Sequence, residues 1–474
     1  MNSTDSKPVP ESREAMSDHD APARPRGVLA PLALAQFICS FAGTNMAVMI
    51  TDISHDLNAD VSGVQLVITL FLLIMAAFMI PGGKLTDRYG RKLCFTIGLS
   101  VYGIGAILSA LAPGLGVLAL GNSLLEGVGT ALLIPPVYIL TTLLFTDTTT
   151  RAKAFGVVMA MGGIGAAAGP LLGGLIASSL GWRAAFAFQA LVVAAILVST
   201  RRVHDPLPAD RTRTLDITGT ILSAAGLVLL VLGILAADND LRWSAILIVL
   251  AALVLAGFFL HVRATERAGG DPLISTSLFH SRASNFGLVT QLLQWSILMG
   301  TSFVVSAYLQ VVRGYDPIRT GIIFTAATAG LLISSLSAAR LARHFAQRTL
   351  VTAGFVVVAI GIVILVALAG HSLNPWAFAP GLLLIGLGLG SMLTPSVNIV
   401  QSAFTEQQQG EISGLSRCVS NLGSSLGTAI SGTILVAGLS SHAYATAMLT
   451  LAAAAVIGLL AAAALPHTTP AQRP

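Results

Sequence analysis

The chain has 474 residues, of which 54% are hydrophobic and only 10% charged, with a formal net charge of +5. Soluble globular domains carry about 25% charged residues, so a water-soluble fold is excluded. The positive balance does not indicate a nucleic-acid binder, because the basic residues are spread over many short loops and form no stripe.

The chain opens with "MNSTDSKPVPESREAMSDHDAPARPR", which is polar, contains Pro and lacks the apolar core of a secretory signal. Residues 1–27 are therefore expected to be a disordered cytoplasmic tail, and 466–474 a second, shorter one. A bilayer-crossing helix takes about 20 apolar residues. Fourteen segments qualify: 28–50, 62–81, 93–112, 115–142, 154–178, 184–200, 216–236, 244–262, 286–310, 320–339, 349–369, 377–400, 411–436 and 444–465. With the N-terminus in the cytoplasm, 21 of the 26 Lys and Arg residues fall on the cytoplasmic side. That asymmetry supports the even count and the orientation.

The longest cytoplasmic loops, 201–215 and 263–285, bracket spans 7 and 8. The expected fold is an all-α polytopic membrane protein of two six-helix bundles, 28–200 and 286–465, with a linker and inserted transmembrane hairpin over 201–285. A faint internal repeat agrees. "GGKLTDRYGRK" after span 2 and "ARLARHFAQR" after span 10 place Leu85 opposite Leu341 and Lys92 opposite Arg348. Cys39, Cys94 and Cys418 lie far apart in or beside apolar segments. No disulfide framework, metal site or cofactor is expected, and no nucleophile–base set suggests an enzyme.

Two motifs stand out. The turn after span 2 holds Gly83, Asp87, Arg88, Gly90, Arg91 and Lys92. Its glycines permit a sharp turn, and Asp87 can cap a neighbouring helix or pair with a base. The group reads as a conformational latch, against simple topological anchoring, which suffices for Arg91 and Lys92. Span 5 carries Gly156, Gly165, Gly169, Pro170, Gly173 and Gly174. These make a smooth face for close helix contact, and Pro170 removes one helical hydrogen bond.

Both motifs and the fourteen-span layout resemble the major facilitator superfamily, and within it the fourteen-span drug:proton antiporters. The resemblance covers about residues 28–465, with further echoes in "YLQVVRGYDPIRTG", "GWR" and "DPLISTSLF". It implies rocker-switch export of lipophilic drug-like or antibiotic molecules against protons, by a monomer in a bacterial inner membrane with both termini cytoplasmic. Expected partners are a small-molecule substrate, protons and the lipid bilayer, with no nucleic acid. Two departures matter. The family's span-1 Asp position is Ala42, in "FAGTNMAVMIT", and its span-4 Arg position is Ser123. An exporter of a specific metabolite or lipid, weakly or not proton-coupled, therefore stays open, as does a non-transporting sensor on the same fold.

Span 4 has its own acid, Glu126, in "LALGNSLLEGVGTALLIPPVYIL", with no Lys or Arg in the segment. At 1.5 Å per residue Glu126 lies roughly 15 Å from the periplasmic end, near the midplane. An ionised carboxylate there costs about 2.5–3.5 kcal/mol on insertion scales. A carboxyl that ionises only when water reaches it is a proton carrier, so Glu126 is the expected proton-coupling site. The alternative is a permanently protonated Glu bonded to a neighbouring helix. Asn122 and Ser123, four and three residues before it, share its helical face in an ordinary helix. Asn45 in span 1, Gln291, Gln294 and Trp295 in span 9, and Arg417 in span 13 are the other cavity candidates, with interhelical hydrogen bonding as the competing role. Arg417 either faces the cavity and binds an anion or snorkels inward.

Overall fold

The computed structural model describes residues 25–145, 148–203, 205, 215–238, 240–369, 374–404 and 408–466. The two expected tails therefore lie outside the described residues, apart from their inner ends. Among the described residues there is no strand. In chain order the long helices are α1 (Val28–Asp56), α2 (Val61–Tyr89), α3 (Arg91–Ala110), α4 (Leu115–Leu144), α5 (Thr148–Leu180), α6 (Trp182–Ser199), α7 (Ile217–Leu235), α8 (Leu241–Arg267), α9 (Arg282–Val312), α10 (Pro317–His344), α11 (Gln347–Ala369), α12 (Pro375–Gln401), α13 (Gln409–Gly438) and α14 (Ser441–Ala463). The face at which α1 begins is the near face; α1 ends at the far face.

Local chemistry sets the ends of these helices. Asp240, Asp316 and Ser440 accept from the first free backbone N–H groups of α8, α10 and α14, the role of an N-cap. Gly90 and Gly181 turn the chain with φ of 100° and 87°, a region open to glycine.

Among the described residues twelve helices are long and apolar enough to cross a bilayer, and α5 makes a thirteenth if its two arms, bent by 43° between Lys153–Ala166 and Ala168–Leu180, count as one span. The expected fourteen is therefore not reached on length and apolarity. The helix that falls short is α13, which has 30 residues but is threaded with Ser, Thr and Asn and carries Arg417. It lies between α2 and α9, and a face covered by neighbouring helices need not be apolar. It runs parallel to α9, with Ser416 at Gln291, Gly423 at Ser296, and Ser441 just beyond its end at Tyr308. It thus covers the same depth as α9.

Helices α1–α6 and α9–α14 pair in the same way. α1 packs on α5 as α9 does on α13; α2 on α4 as α10 on α12; α3 on α4 and α6 as α11 on α12 and α14. The halves meet through two matching seams, α2 with α13 and α5 with α10. The α7–α8 hairpin lies outside the first seam, with α7 against α2 and α13. Below it the segment 271–279 ties three parts together at the near face. Asp271 pairs with Lys84 of α2 at 3.1 Å. The Leu273 N–H donates to Asp216 at the start of α7 (3.0 Å), and the Ser275 N–H donates to Glu411 of α13 (2.6 Å). Leu273 and Leu278 are buried with Ile80 of α2, Phe258 of α8 and Ile412 of α13, so an apolar plug underlies the polar ties.

Candidate functional site

Glu126 is fully buried, and it is the one acidic residue so placed among the described residues. It ends a π-helical stretch of α4, Ala119–Glu126. Small residues let the helices close: a side chain at Gly105 of α3 or Gly121 of α4 would strike the backbone of the opposite helix. The carboxyl accepts from Ser109 Oγ of α3 and Asn122 Nδ2, each at 3.4 Å. The Tyr102 hydroxyl of α3 is a further hydrogen-bonding neighbour, and it donates to Gln189 of α6. One turn along α4, Thr130 donates to the Glu126 carbonyl (2.7 Å) and stands beside the Cys39 thiol of α1. No ion pair among the described residues involves Glu126. The acid therefore sits in a cage of hydroxyls and an amide from α3 and α4, backed by Gln189 of α6 behind Tyr102.

One expectation about this acid changes. Its contact Ser109 is the next-to-last residue of α3, while its own backbone N–H stands at Gly105, five residues before the end of that helix. Ser123 does not share its face. A π turn closes i→i+5, which keeps residues four apart together and swings those three apart to the side. Ser123 instead donates to the Val67 carbonyl of α2 at 2.8 Å, while Asn122 stays with Glu126.

Gln291 and Gln294 form a second polar group, in the other half. Gln291 Nε2 donates to the Ser396 carbonyl (3.2 Å) and its Oε1 accepts from Ser416 (2.5 Å), while Gln294 Oε1 accepts from Ser396 Oγ (3.2 Å). These bonds join α9 to α12 and α13. Trp295 is half-buried against the apolar core. Asn45 is buried with neither side-chain polar atom hydrogen-bonded, and it packs at Gly173 of α5.

The span-5 motif divides along its length. Gly165, Gly169 and Gly173 lie against Phe37, Thr44 and Asn45 of α1, and Gly174 against the Pro317 carbonyl of α10. Gly321 of α10 returns the contact on the Pro170 carbonyl. Gly156, near the other end, has no atom within 4 Å of where a Cβ would stand. In the near-face turn, Asp87 pairs with Arg91 at 3.6 Å and Arg88 lies 5.6 Å from the Tyr89 ring. Gly90 makes the turn, and Asp205 accepts from the Arg91 and Lys92 N–H groups (2.6 and 3.3 Å), closing the start of α3. Gly83 faces Pro135 of α4.

Two glutamines cross between the halves near the far face. Gln65 of α2 donates to the Thr428 and Ala429 carbonyls of α13 at 3.1 and 3.2 Å. Gln310 of α9 donates to the Ala47 carbonyl (3.0 Å) and accepts from the Thr51 N–H (3.2 Å). Ala47 and Thr51 are i and i+4 of α1, the two ends of one helical rung, and a side chain from the other half engages both. Both helices are irregular there, with a 3-10 stretch at Met46–Met49 and a π turn at Tyr308–Val312. Arg417 also crosses. Its guanidinium donates to the Tyr138 hydroxyl of α4 and lies 4.9 Å from that ring's centroid. Sequence reading passed over Tyr138, Tyr102, Gln189 and Gln65. A second repeat pointed at one of them: "PPVYIL" in α4 matches "PSVNIV" in α12, with Tyr138 opposite Asn398.

Two pseudo-equivalent helical bundles with polar groups on their seams define a membrane carrier of the two-bundle class. The sequence profile of the Major Facilitator Superfamily matches residues 32–215, 203–428 and 294–474, and the chain belongs to that family. It is 31% identical over 431 residues to the puromycin resistance protein pur8 of Streptomyces alboniger, covering 90% of this chain and 84% of the relative. It is 30% identical to a probable actinorhodin transporter of Streptomyces coelicolor, covering 85% and 71%. With the multidrug efflux pump LfrA of Mycolicibacterium smegmatis it shares 28% identity, covering 95% and 90%. A crystal structure of the peptide transporter POT in complex with sulfate superposes with a TM-score of 0.70 at 18% identity, covering 94% of this chain and 96% of that one. That likeness speaks to the fold.

Proposed function

We propose that the protein exports lipophilic drug-like or antibiotic compounds across a bacterial inner membrane by alternating access, in exchange for protons, with the near face cytoplasmic. The resistance and efflux relatives support the export reading. The observation that carries the proton coupling is the Glu126 cage: a fully buried acid with no cation beside it. The family's own Asp and Arg positions hold Ala42 and Ser123, which leaves Glu126 as the acid of the buried interior. Its contact with Ser109, the next-to-last residue of α3, suits loading from the periplasmic side, where protons are in excess. The covering loop is pinned there by Arg183, which donates to Asp56 and to the Ala112 carbonyl. Substrate then binds from the near side, and release of the proton inward accompanies its export.

A second reading has its own observation: Glu126 points into α3, not into the space between the halves. On that reading the acid is a permanent hydrogen-bond donor holding α3 to α4. The full-length protein in liposomes with an imposed pH gradient distinguishes the two. On the coupling reading, Glu126→Gln still binds and exchanges rhodamine 123 but loses uphill, pH-driven transport. Undiminished pH-driven accumulation by that variant assigns Glu126 to helix packing.

A further inference from the structure

Among the described residues Arg417 has no counter-ion. Glu411, the acid of its own helix, accepts from the Ser275 N–H. A guanidinium has five N–H donors, and here one oxygen, the Tyr138 hydroxyl, accepts from it. The Met159 sulfur at 3.9 Å is a weak second contact. Holding an unneutralised charge at this depth is costly unless an anion completes it.

The surroundings are shaped for an aromatic ring. Tyr138 stacks on Phe155 at 6.3 Å with an interplanar angle of 18°, and its hydroxyl donates to Gln36 (3.1 Å). Beside them the wall is open. Met159 is 46% exposed although it touches both Arg417 and Tyr138. Gly156 and Gly163, three and four residues away on α5, have no atom within 4 Å of where a Cβ would stand. One cation, two stacked rings, a thioether and free space thus meet at the near-face end of the seam between the halves.

We propose that Arg417 and Tyr138 form the substrate-recognition wall of this transporter, and that its preferred substrates are aromatic compounds carrying an acidic group, a carboxylate or an ionised phenol. The acid takes the guanidinium in a paired, charge-assisted bond, and the ring lies against Tyr138 and Phe155, with Met159 supplying a soft, adaptable edge. Because the two residues come from opposite halves, a ligand bound to both senses how the halves stand. The inference rests on the export reading and adds to it the charge class of the cargo.

The test compares two dyes on one xanthene skeleton, anionic fluorescein and cationic rhodamine 123. Equilibrium binding is read by fluorescence anisotropy on the purified full-length protein, and flux is read in liposomes. Wild type binds and moves fluorescein more strongly than rhodamine 123. Arg417→Gln weakens fluorescein binding by about tenfold or more, as loss of a charge-assisted bond requires, and does not weaken that of cationic rhodamine 123, from which it removes a like charge; retained rhodamine 123 binding also shows that the variant is folded. Arg417→Lys, which keeps the charge but not the planar fork, falls between. A preference for rhodamine 123, or fluorescein binding indifferent to Arg417→Gln, overturns the proposal. Fluorescein binding that depends on Arg417 without flux of either dye upholds the site and defeats the export reading instead.

Discussion

The two ends of the contact between the halves are built differently. At the far end, side-chain amides bond to backbone: Gln65 to the carbonyls of α13, and Gln310 to both ends of a rung of α1. Ser425 adds a bond to the Thr69 carbonyl (3.1 Å), and Gly174 and Gly321 bring α5 and α10 into backbone contact. At the near end one long side chain, Arg417, reaches across to an aromatic ring beside open space, and the 271–279 segment lashes the halves from below. The far end is packed shut and the near end is bridged but loose. A carrier in this arrangement offers its binding wall to the near side. The contacts that must break for export are a few backbone-directed amides, two glycine crossings and the apolar packing of Leu73 and Ala77 on Ala429.

The largest effect is expected at the glycine crossings. Gly174→Val places a branched side chain against the Pro317 carbonyl, and tight packing does not yield to added bulk. The far end should fail to close. The expected outcome is loss of transport by more than about tenfold, since even 1.4 kcal/mol of misfit has that effect on an equilibrium. The measurement is labelling of a cysteine at Ser306, which is fully buried at this end, by a membrane-impermeant maleimide added at the far face. Labelling should be fast with Gly174→Val and slow without it. Equal labelling would mean that α5 and α10 do not set the closed state.

Much of this was legible in the chain itself. Apolar runs and the Lys/Arg bias marked the helices, because a bilayer enforces length and composition strongly. The span-5 glycines announced a close-packed face, and Glu126 announced itself as an acid without a partner. What sequence could not supply was which neighbour each polar group meets. Asn122 and Ser123 look equivalent beside Glu126 until the π stretch separates them. Gln65 and Gln310 are single amides in long apolar helices, with nothing local to say that one finds carbonyls of α13 and the other a rung of α1. α13 counts in sequence as one span among the fourteen, and nothing local says that its serines and threonines are those of a helix enclosed by others.

A middle-sized effect sharpens the amide comparison. Gln310→Leu keeps the bulk and removes both bonds to α1, and Gln65→Leu does the same for α13. Each hydrogen bond is worth about 0.5–1.5 kcal/mol net, so each variant, losing two, should shift the balance toward an open far end by roughly fivefold or more, since about 1 kcal/mol already gives fivefold. Gln65 bonds α2 to α13 and Gln310 bonds α9 to α1, with no shared partner, so the double variant should approach the product of the singles. Labelling at Ser306 again reads the shift. The contrasting variant is Tyr138→Phe at the near end, which removes a bond from the loose side and should leave far-face labelling unchanged while weakening fluorescein binding.

The smallest effects belong to the lashing beneath the hairpin, and they separate two of its three polar ties. The Lys84 and Asp271 pair is partly exposed, with side chains 18% and 55% accessible, and such pairs contribute about 0–1 kcal/mol. Lys84→Met should therefore barely move the thermal midpoint. Asp216 is different. Its burial alone would raise the carboxyl, but donation from the Gly219 N–H (2.7 Å), His261 (2.8 Å) and the Leu273 N–H holds it below the ordinary Asp range. An acid lowered in the folded state stabilises that state above its unfolded value, about 3.9, and the contribution fades as pH falls through the folded value. Asp216→Asn should accordingly lower the midpoint at pH 7 by more than Lys84→Met does, and the gap between Asp216→Asn and wild type should narrow as the pH is taken below about 4. A gap that stays constant on acidification would mean that the hairpin is held by the Leu273 and Leu278 plug alone.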